Sequence, residues 1–268
     1  MKKHWLYLKM SRIEHFDIVR ICNGKGEKVS EPVTVEEPLT IFLNGEELVT
    51  LLYTPSFPEQ LAIGFLVSEG VIRDKNNIES IRFYEGKGVV NITVKNNGND
   101  PKQLSSTRLI TSGCCGGVSF YRAQDYARFK KITSRKKFQR SIIIDSMKQM
   151  TQTSQHFKET GGVHSSSLVQ DGKILFFRED IGRHNAIDKI LGECFLSDIP
   201  CNDALLLTSG RITSEIVRKG GAVGIPVIAS KSAPTNLAIK MANEIDLTIA
   251  GFVRGKRMNI YTSTWRIV

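Results

Sequence analysis

The chain of 268 residues contains no apolar run approaching a bilayer span, which takes about 20 residues. Its first residues, Met1-Lys2-Lys3-His4-Trp5-Leu6, are basic, but Lys9, Ser11, Arg12 and Glu14 follow too soon for a signal-peptide core. A cytoplasmic protein with no membrane partner is expected. Cysteine is scarce as well: Cys22, Cys114, Cys115, Cys194 and Cys201 make five. An odd count at irregular spacing argues against a disulfide framework and fits a reducing compartment. Helix-turn-helix, zinc-finger, RRM and KH signatures are missing, as are internal repeats and low-complexity tracts.

What is present is a globular composition, 41% apolar and 24% charged, with a net charge of +10. That length supports one large domain or two modest ones. The charge calls for an anionic partner. Without a nucleic-acid motif, a phosphate-rich small molecule or an acidic protein surface accounts for it as well as nucleic acid does. The densest basic run, residues 128–140, reads equally as a solvated face or a linker.

The first half is strand-rich. Residues 39–43 and 47–52 flank Asn44-Gly45, a pair that tolerates the positive φ angles of a type I′ turn, and so read as a hairpin. Residues 58–69 read as a helix opened by Pro58 and stopped by Gly70. A second hairpin is expected from 78–84 and 89–94, then a polar loop over 96–106. Beyond the basic run, Asp145 is expected to cap a helix reaching about Phe157. A hairpin over 165–169 and 173–177 turns at Asp171-Gly172, and a helix spans 185–195. Strands at 204–208, 226–230, 247–252 and 258–262 alternate with helices at 214–220 and 234–244, which predicts an α/β layer with a partly parallel sheet. The domain boundary is placed near 131–139, giving a β-rich domain over 1–134 and an α/β domain over 135–268.

Four stretches stand out chemically. Thr111-Ser112-Gly113-Cys114-Cys115-Gly116-Gly117 sets two thiols among glycines, whose missing Cβ lets a bulky partner come close; the same residues also make an ordinary glycine-rich turn. Two strand-to-helix connections, Ser209-Gly210-Arg211 and Ser230-Lys231-Ser232, each combine small hydroxyls, a cation and free helix N–H groups, the elements of an anion site. Ser and Thr are also common N-caps; if the strands are parallel neighbours, both loops open on one crevice. The run from Glu179 to Lys189 packs Arg183, His184 and Asp188 among other polar residues before an apolar-periodic helix, and His164 follows a glycine turn. Either histidine alone is an ordinary core residue; beside a thiol loop and a phosphate crevice both become candidates for the site.

The chain resembles the FdhD family of formate dehydrogenase accessory sulfurtransferases. The resemblance rests on Thr160-Gly161-Gly162-Val163-His164, on residues 179–189, on Ser209-Gly210-Arg211-Ile212-Thr213-Ser214-Glu215 and on Ser230-Lys231-Ser232-Ala233-Pro234-Thr235. Gly251-Phe252-Val253-Arg254, Asn259-Ile260-Tyr261 and the 62–70 helix extend it. It implies a cytidine-deaminase-like α/β domain, a smaller β-rich N-terminal domain carrying the thiol loop, and a homodimer. It further implies a sulfur carrier that takes persulfide sulfur from a cysteine desulfurase. The sulfur passes to the molybdenum cofactor, a bis-molybdopterin guanine dinucleotide, before the cofactor enters the catalytic subunit of formate dehydrogenase. The resemblance also brings Phe252, Val253, Arg254, Gly255, Lys256 and Arg257 to the cofactor.

Family members present Cys-x-x-Cys, whereas this chain has adjacent Cys114 and Cys115. Aligning Cys-Gly makes Cys115 the carrier; aligning Gly-Cys makes it Cys114; Cys115 is preferred. The zinc deaminases that share such a fold need His-x-Glu and Pro-Cys-x-x-Cys ligands, and neither occurs, so no resident metal is expected. The competing expectation is a chaperone that binds the cofactor and needs no thiol.

Overall fold

The computed structural model describes residues 11–95, 109–110, 118–119 and 130–268. It is a mixed α/β structure. The chain opens with a long hairpin, β1 (Ile13–Cys22) and β2 (Lys25–Thr34), turning at Asn23 and Gly24, both at positive φ. A second sheet follows: β3 (Glu37–Leu43) and β4 (Glu46–Tyr53) turn at Asn44-Gly45, with φ of 51° and 84° as the Asn-Gly signal requires. Helix α1 (Pro58–Ser68) leads to β5 (Ile78–Tyr84) and β6 (Val89–Val94), and the strand order is β4-β3-β6-β5. Short strands β7 (Leu109–Ile110) and β8 (Val118–Ser119) pair antiparallel; Cys114 and Cys115 lie between them in sequence, outside the described residues.

From residue 130 the chain builds the larger sheet. Its elements are α2 (Arg140–Thr153), α3 (Gln155–Thr160), β9 (His164–Gln170), β10 (Lys173–Asp180), α4 (Arg183–Leu196), β11 (Leu205–Thr208), α5 (Ser214–Ala222), β12 (Val227–Ser230), α6 (Asn236–Glu244), β13 (Thr248–Arg254) and β14 (Arg257–Ile260). The order is β10-β9-β11-β12-β13-β14, with β11, β12 and β13 parallel and the flanking pairs antiparallel. Strand β11 is buried throughout because both of its faces are covered, and three of its four residues are leucine. Leu206 packs with Ile187, Ile216 and Ile249 on the α4–α5–α6 side, while Leu205 and Leu207 pack with Ile143 and Met147 of α2.

Two features depart from sequence expectation. Asp145 lies inside α2 rather than capping it: the N-cap is Gln139, whose side chain makes no capping bond, and the chain breaks at Ser154 into a separate short helix. Ser154 is buried and spends its hydroxyl on Glu179 (2.6 Å) and Ser165 (2.7 Å), so tertiary contacts override the local helix pattern. The β1–β2 hairpin went unforeseen, although Asn23-Gly24 carries the same turn signal as Asn44-Gly45. No helix among the described residues is long and apolar enough to cross a membrane.

Helix α1 joins the two larger sheets. It is buried nearly all round, packing on Leu39, Ile41, Val90 and Ile92 of the small sheet and against Phe195 and Leu196 of α4. The α1–α4 crossing is a backbone contact. A Cβ built on Gly64 would meet the carbonyl oxygen of Asp188 at 1.8 Å, and one on Gly192 would meet that of Gln60 at 1.9 Å. Gly64→Ala is therefore expected to cost about 3 kcal/mol or more, or to abolish folding. Gly86→Ala, which meets open space, should stay within about 0.5 kcal/mol. Denaturant titration of the two variants checks this, and equal stabilities would contradict it.

Candidate functional site

Most of the described residues singled out in sequence gather at one end of the larger sheet. Strands β11 and β12 are parallel neighbours in register from Leu205↔Val227 to Thr208↔Ser230, so the loops that follow them open on the same side. Strand β9 begins at that end because it runs antiparallel to β11, and Asp180 at the end of β10 pairs with His164. Strand β13 is parallel to β12 and delivers Phe252–Arg254 there too. Ligands of open α/β sheets bind in such a crevice, beyond the carboxyl ends of parallel strands.

Within it the contacts are specific. Ser209 Oγ accepts from the Ser165 N–H at 3.0 Å and lies 3.2 Å from His164 Nδ1. Gly210 is needed beside them, since a Cβ would sit 3.0 Å from the side chain of Arg183 and 3.5 Å from His164 Nδ1. His164, Arg183, Ser209 and Gly210 thus form one packed group. His184 Nε2 lies 2.8 Å from Glu215 Oε2, tying the start of α4 to the first turn of α5. Arg211 projects into solvent.

The two connecting loops are not equivalent. Ser230 is fully buried; its hydroxyl donates to the Gly210 carbonyl at 2.6 Å and accepts from the Ser232 N–H at 2.9 Å. Thr235 caps α6 by accepting from the Ala238 N–H. The 230–235 loop therefore satisfies itself and braces its neighbour, a bracing continued by Ile212 N–H to Ala233 O (3.1 Å) and Thr235 N–H to Ile212 O (2.9 Å). At α5, by contrast, the N-cap Thr213 makes no capping bond, and its buried Oγ1 has no hydrogen-bond partner among the described residues. Such an atom is costly unless something completes it. The first turn of α5, next to Arg211, has the N–H groups and positive dipole end of an anion site, with Glu215 in that turn already tied to His184. Sequence reasoning passed over Thr213 because a threonine at a helix start looks like a routine cap.

The 252–257 segment lies alongside. A bulge between Gly251 and Arg254 lets Phe252 adopt φ 52° and donate its N–H to Ser232 O at 3.0 Å. Gly251 is required there, because a Cβ would sit 2.9 Å from the Tyr261 ring and 3.0 Å from Pro234. Arg254 Nε donates to Lys231 O at 3.0 Å, and Gly255 turns the chain at φ 57°. Arg254, Lys256 and Arg257 are exposed and leave the crevice a cationic rim.

Two of the residues singled out are turned away from the crevice. Val253 is buried against Ile143 and Met147 of α2, so only its backbone belongs to the rim. Asp188 is buried under α1, held by both 2.8 Å contacts from Lys219 Nζ and by Ser68 Oγ at 3.0 Å. Burial pushes its carboxyl pKa up, and Lys219 opposes that shift. Cys114 and Cys115 lie outside the described residues. No group of three or more potential metal ligands occurs among the described residues.

These features define a class: an α/β protein whose parallel strand ends form a crevice with a cationic rim and one incompletely capped helix. The comparisons make the assignment particular. The model of the FdhD/NarQ family matches residues 34–268, and the chain belongs to that family. It is 42% identical over 255 residues to the sulfur carrier protein FdhD of Bacillus subtilis (strain 168), covering 94% of this chain and 96% of that one. It is 40% identical over 251 residues to the sulfur carrier protein FdhD of Staphylococcus aureus (strain MRSA252), covering 94% and 95%. The fold matches, at TM-score 0.81 and 24% identity, a candidate formate dehydrogenase accessory protein from Desulfotalea psychrophila, over 96% of this chain and 100% of that one.

The crevice histidines carry a pH dependence. Burial, then the nearby charges of Arg183 and His184, hold His164 below the ordinary histidine pKa; burial does the same to His184, against the opposing pull of Glu215. Burial likewise lowers His156, against the pull of Glu179. A base whose folded pKa is depressed binds fewer protons folded than unfolded, so its stabilisation is complete above the unfolded pKa of about 6.5 and lost as pH falls below it. The melting temperature is expected to drop between pH 7.5 and 5.5, and to drop less in His164→Asn. A flat profile in the parent chain would contradict this.

Proposed function

We propose that this chain is a sulfur carrier serving formate dehydrogenase. It takes sulfur from a cysteine desulfurase as a persulfide on Cys115 and passes it to a guanine-dinucleotide form of the molybdenum cofactor held as cargo in the crevice. The single observation that carries the binding half of this reading is the crevice itself. Thr213 has a buried hydroxyl with no partner among the described residues, Arg211 stands at the same helix end, and the Arg254–Arg257 segment is bonded to the neighbouring 230–235 loop. The relatives' name, sulfur carrier protein FdhD, supports the transfer half. The protein works in the cytoplasm as a homodimer.

The chemistry follows from the groups available. The Cys115 thiolate attacks the outer sulfur of the desulfurase persulfide; one S–S bond forms as another breaks, and the desulfurase cysteine leaves as thiolate, with no net oxidation. Cationic charge brought close to a thiol favours its thiolate form. Handing the sulfur on as sulfide takes two electrons, which a thiol supplies by closing a disulfide; Cys114 is the neighbour in sequence. The resulting vicinal disulfide is strained and easily reduced. The crevice residues do the positioning: Arg211 and the α5 first turn hold a phosphate, Ser209 and Gly210 set its floor against His164 and Arg183, and Phe252–Arg257 close the outer side.

Guanosine diphosphate is the simplest probe of that cargo, and calorimetry reads its affinity. Arg211→Ala and Arg254→Ala are each expected to weaken binding about tenfold, the scale of one charge-assisted hydrogen bond. Thr213→Val, isosteric but without a hydroxyl, should weaken binding as well. Thr235→Val should cost about 1 kcal/mol of stability through its lost cap and leave affinity unchanged. Affinity indifferent to Arg211, Thr213 and Arg254 would overturn the placement.

A further inference from the structure

The β1–β2 hairpin stands apart from the rest of the fold. Its ten paired positions, from Ile13↔Thr34 to Cys22↔Lys25, form a two-stranded sheet with no third strand among the described residues. Ten residues extend about 33 Å. The base is anchored: Thr34 Oγ1 donates to Thr160 Oγ1 at 2.8 Å and lies 3.3 Å from His156 Nε2, and the Val35 N–H donates to Arg12 O at 2.9 Å. Beyond the base the ribbon is exposed on both faces. Of the twelve exposed large apolar side chains among the described residues, it carries five: Phe16, Ile18, Val19, Ile21 and Val33. A lone two-stranded ribbon is marginal in water, and apolar surface concentrated on it marks a contact.

The two outer edges differ. Strand β2 carries Pro32, which has no N–H to donate, and Lys25 and Lys28, features that discourage a further strand. Strand β1 has no proline and is rich in β-branched residues. Its sequence is also complementary to itself. Read antiparallel against a second copy about Asp17, it sets Glu14 opposite Arg20, Phe16 opposite Ile18 and Ile13 opposite Ile21, and a twofold axis makes each contact twice. Asp17 meets its own mate at the axis, an exposed like-charge pair that salt screens. Residues 13–34 hold four acids and three bases, a net charge of −1 on a chain of +10, so two arms meet with far less repulsion than two copies of the remaining, basic surface would.

We infer that the outer edge of β1 is the dimer contact of this protein, pairing antiparallel with β1 of a second copy to make a continuous four-stranded ribbon. The inference rests on the homodimer reading above and says where the contact lies. Sedimentation of the full chain across a concentration series tests it, comparing the parent with the Phe16→Ser, Ile18→Ser double variant. Both side chains are exposed in the single chain, so the fold survives their loss. With four apolar side chains lost per dimer, dissociation should become at least about 100-fold easier. Glu14→Arg should also weaken the dimer, because it sets two cations opposite each other at position 20 of the second copy. A parent dimer unaffected by the serine variant would place the contact elsewhere and overturn this inference alone. A parent that stays monomeric would overturn it together with the homodimer reading.

Discussion

The fold depends on the crossing of α1 and α4, where Gly64 and Gly192 let two helix backbones touch. The contact brings the end of α1 within reach of α5. Arg218 pairs with Glu69 and donates to Ser68 O at 3.1 Å, and Lys219 bridges Asp188 and Ser68. A second buried set centres on the next residue of α4. Lys189 Nζ binds Asp180 at 2.6 Å and Thr54 O at 3.0 Å, while Asn185 reaches Leu52 O at 2.8 Å. Buried pairs of this kind add little net stability over an apolar seam, but breaking one partner is expensive. Their effect is to fix one relative placement of the small sheet and the large one. The run from Glu179 to Lys189 therefore has two faces: Asp180, Asn185, Asp188 and Lys189 lock the layers, and Arg183 and His184 look toward the crevice.

That division explains the crevice. Because the seam fixes the start of α4, Arg183 is held where Gly210 and His164 pack on it, and His184 is held where it meets Glu215. The 230–235 loop then uses its own hydroxyls to brace the 209–213 loop, leaving the N-terminus of α5 as the one of the two helix starts that is not self-capped. A rigid scaffold with an incompletely capped helix start suits the cargo site proposed above.

Much of this was legible in sequence wherever the signal is local. Asn44-Gly45 and Asp171-Gly172 define their hairpins through backbone preference alone. The apolar strands and the short helices between them give the parallel sheet and the shared crevice. What depends on burial was not legible. Asp188 reads as a polar residue on a promising motif, and only the packing of α1 shows it saturated by Lys219. Val253 sits within a cationic segment, yet a bulge turns it into the core. The hairpin over 13–34 escaped because its alternation is blurred by apolar residues on both faces, the pattern of a ribbon whose cover is not its own fold. The thiol pair was conspicuous in sequence, being chemistry carried by residue type rather than by position.

The proposed function turns on sulfur being carried by one of two adjacent thiols. Intact and peptide mass spectrometry after incubation with a cysteine desulfurase and cysteine tests it most directly, in the parent chain, Cys114→Ser and Cys115→Ser. A carrier acting through Cys115 gains one sulfur, and the gain disappears only in Cys115→Ser. Loss only in Cys114→Ser would keep the carrier and move the site by one residue. No added sulfur on either thiol, with a competent desulfurase present, would contradict the account and leave a protein that binds the cofactor without carrying sulfur to it.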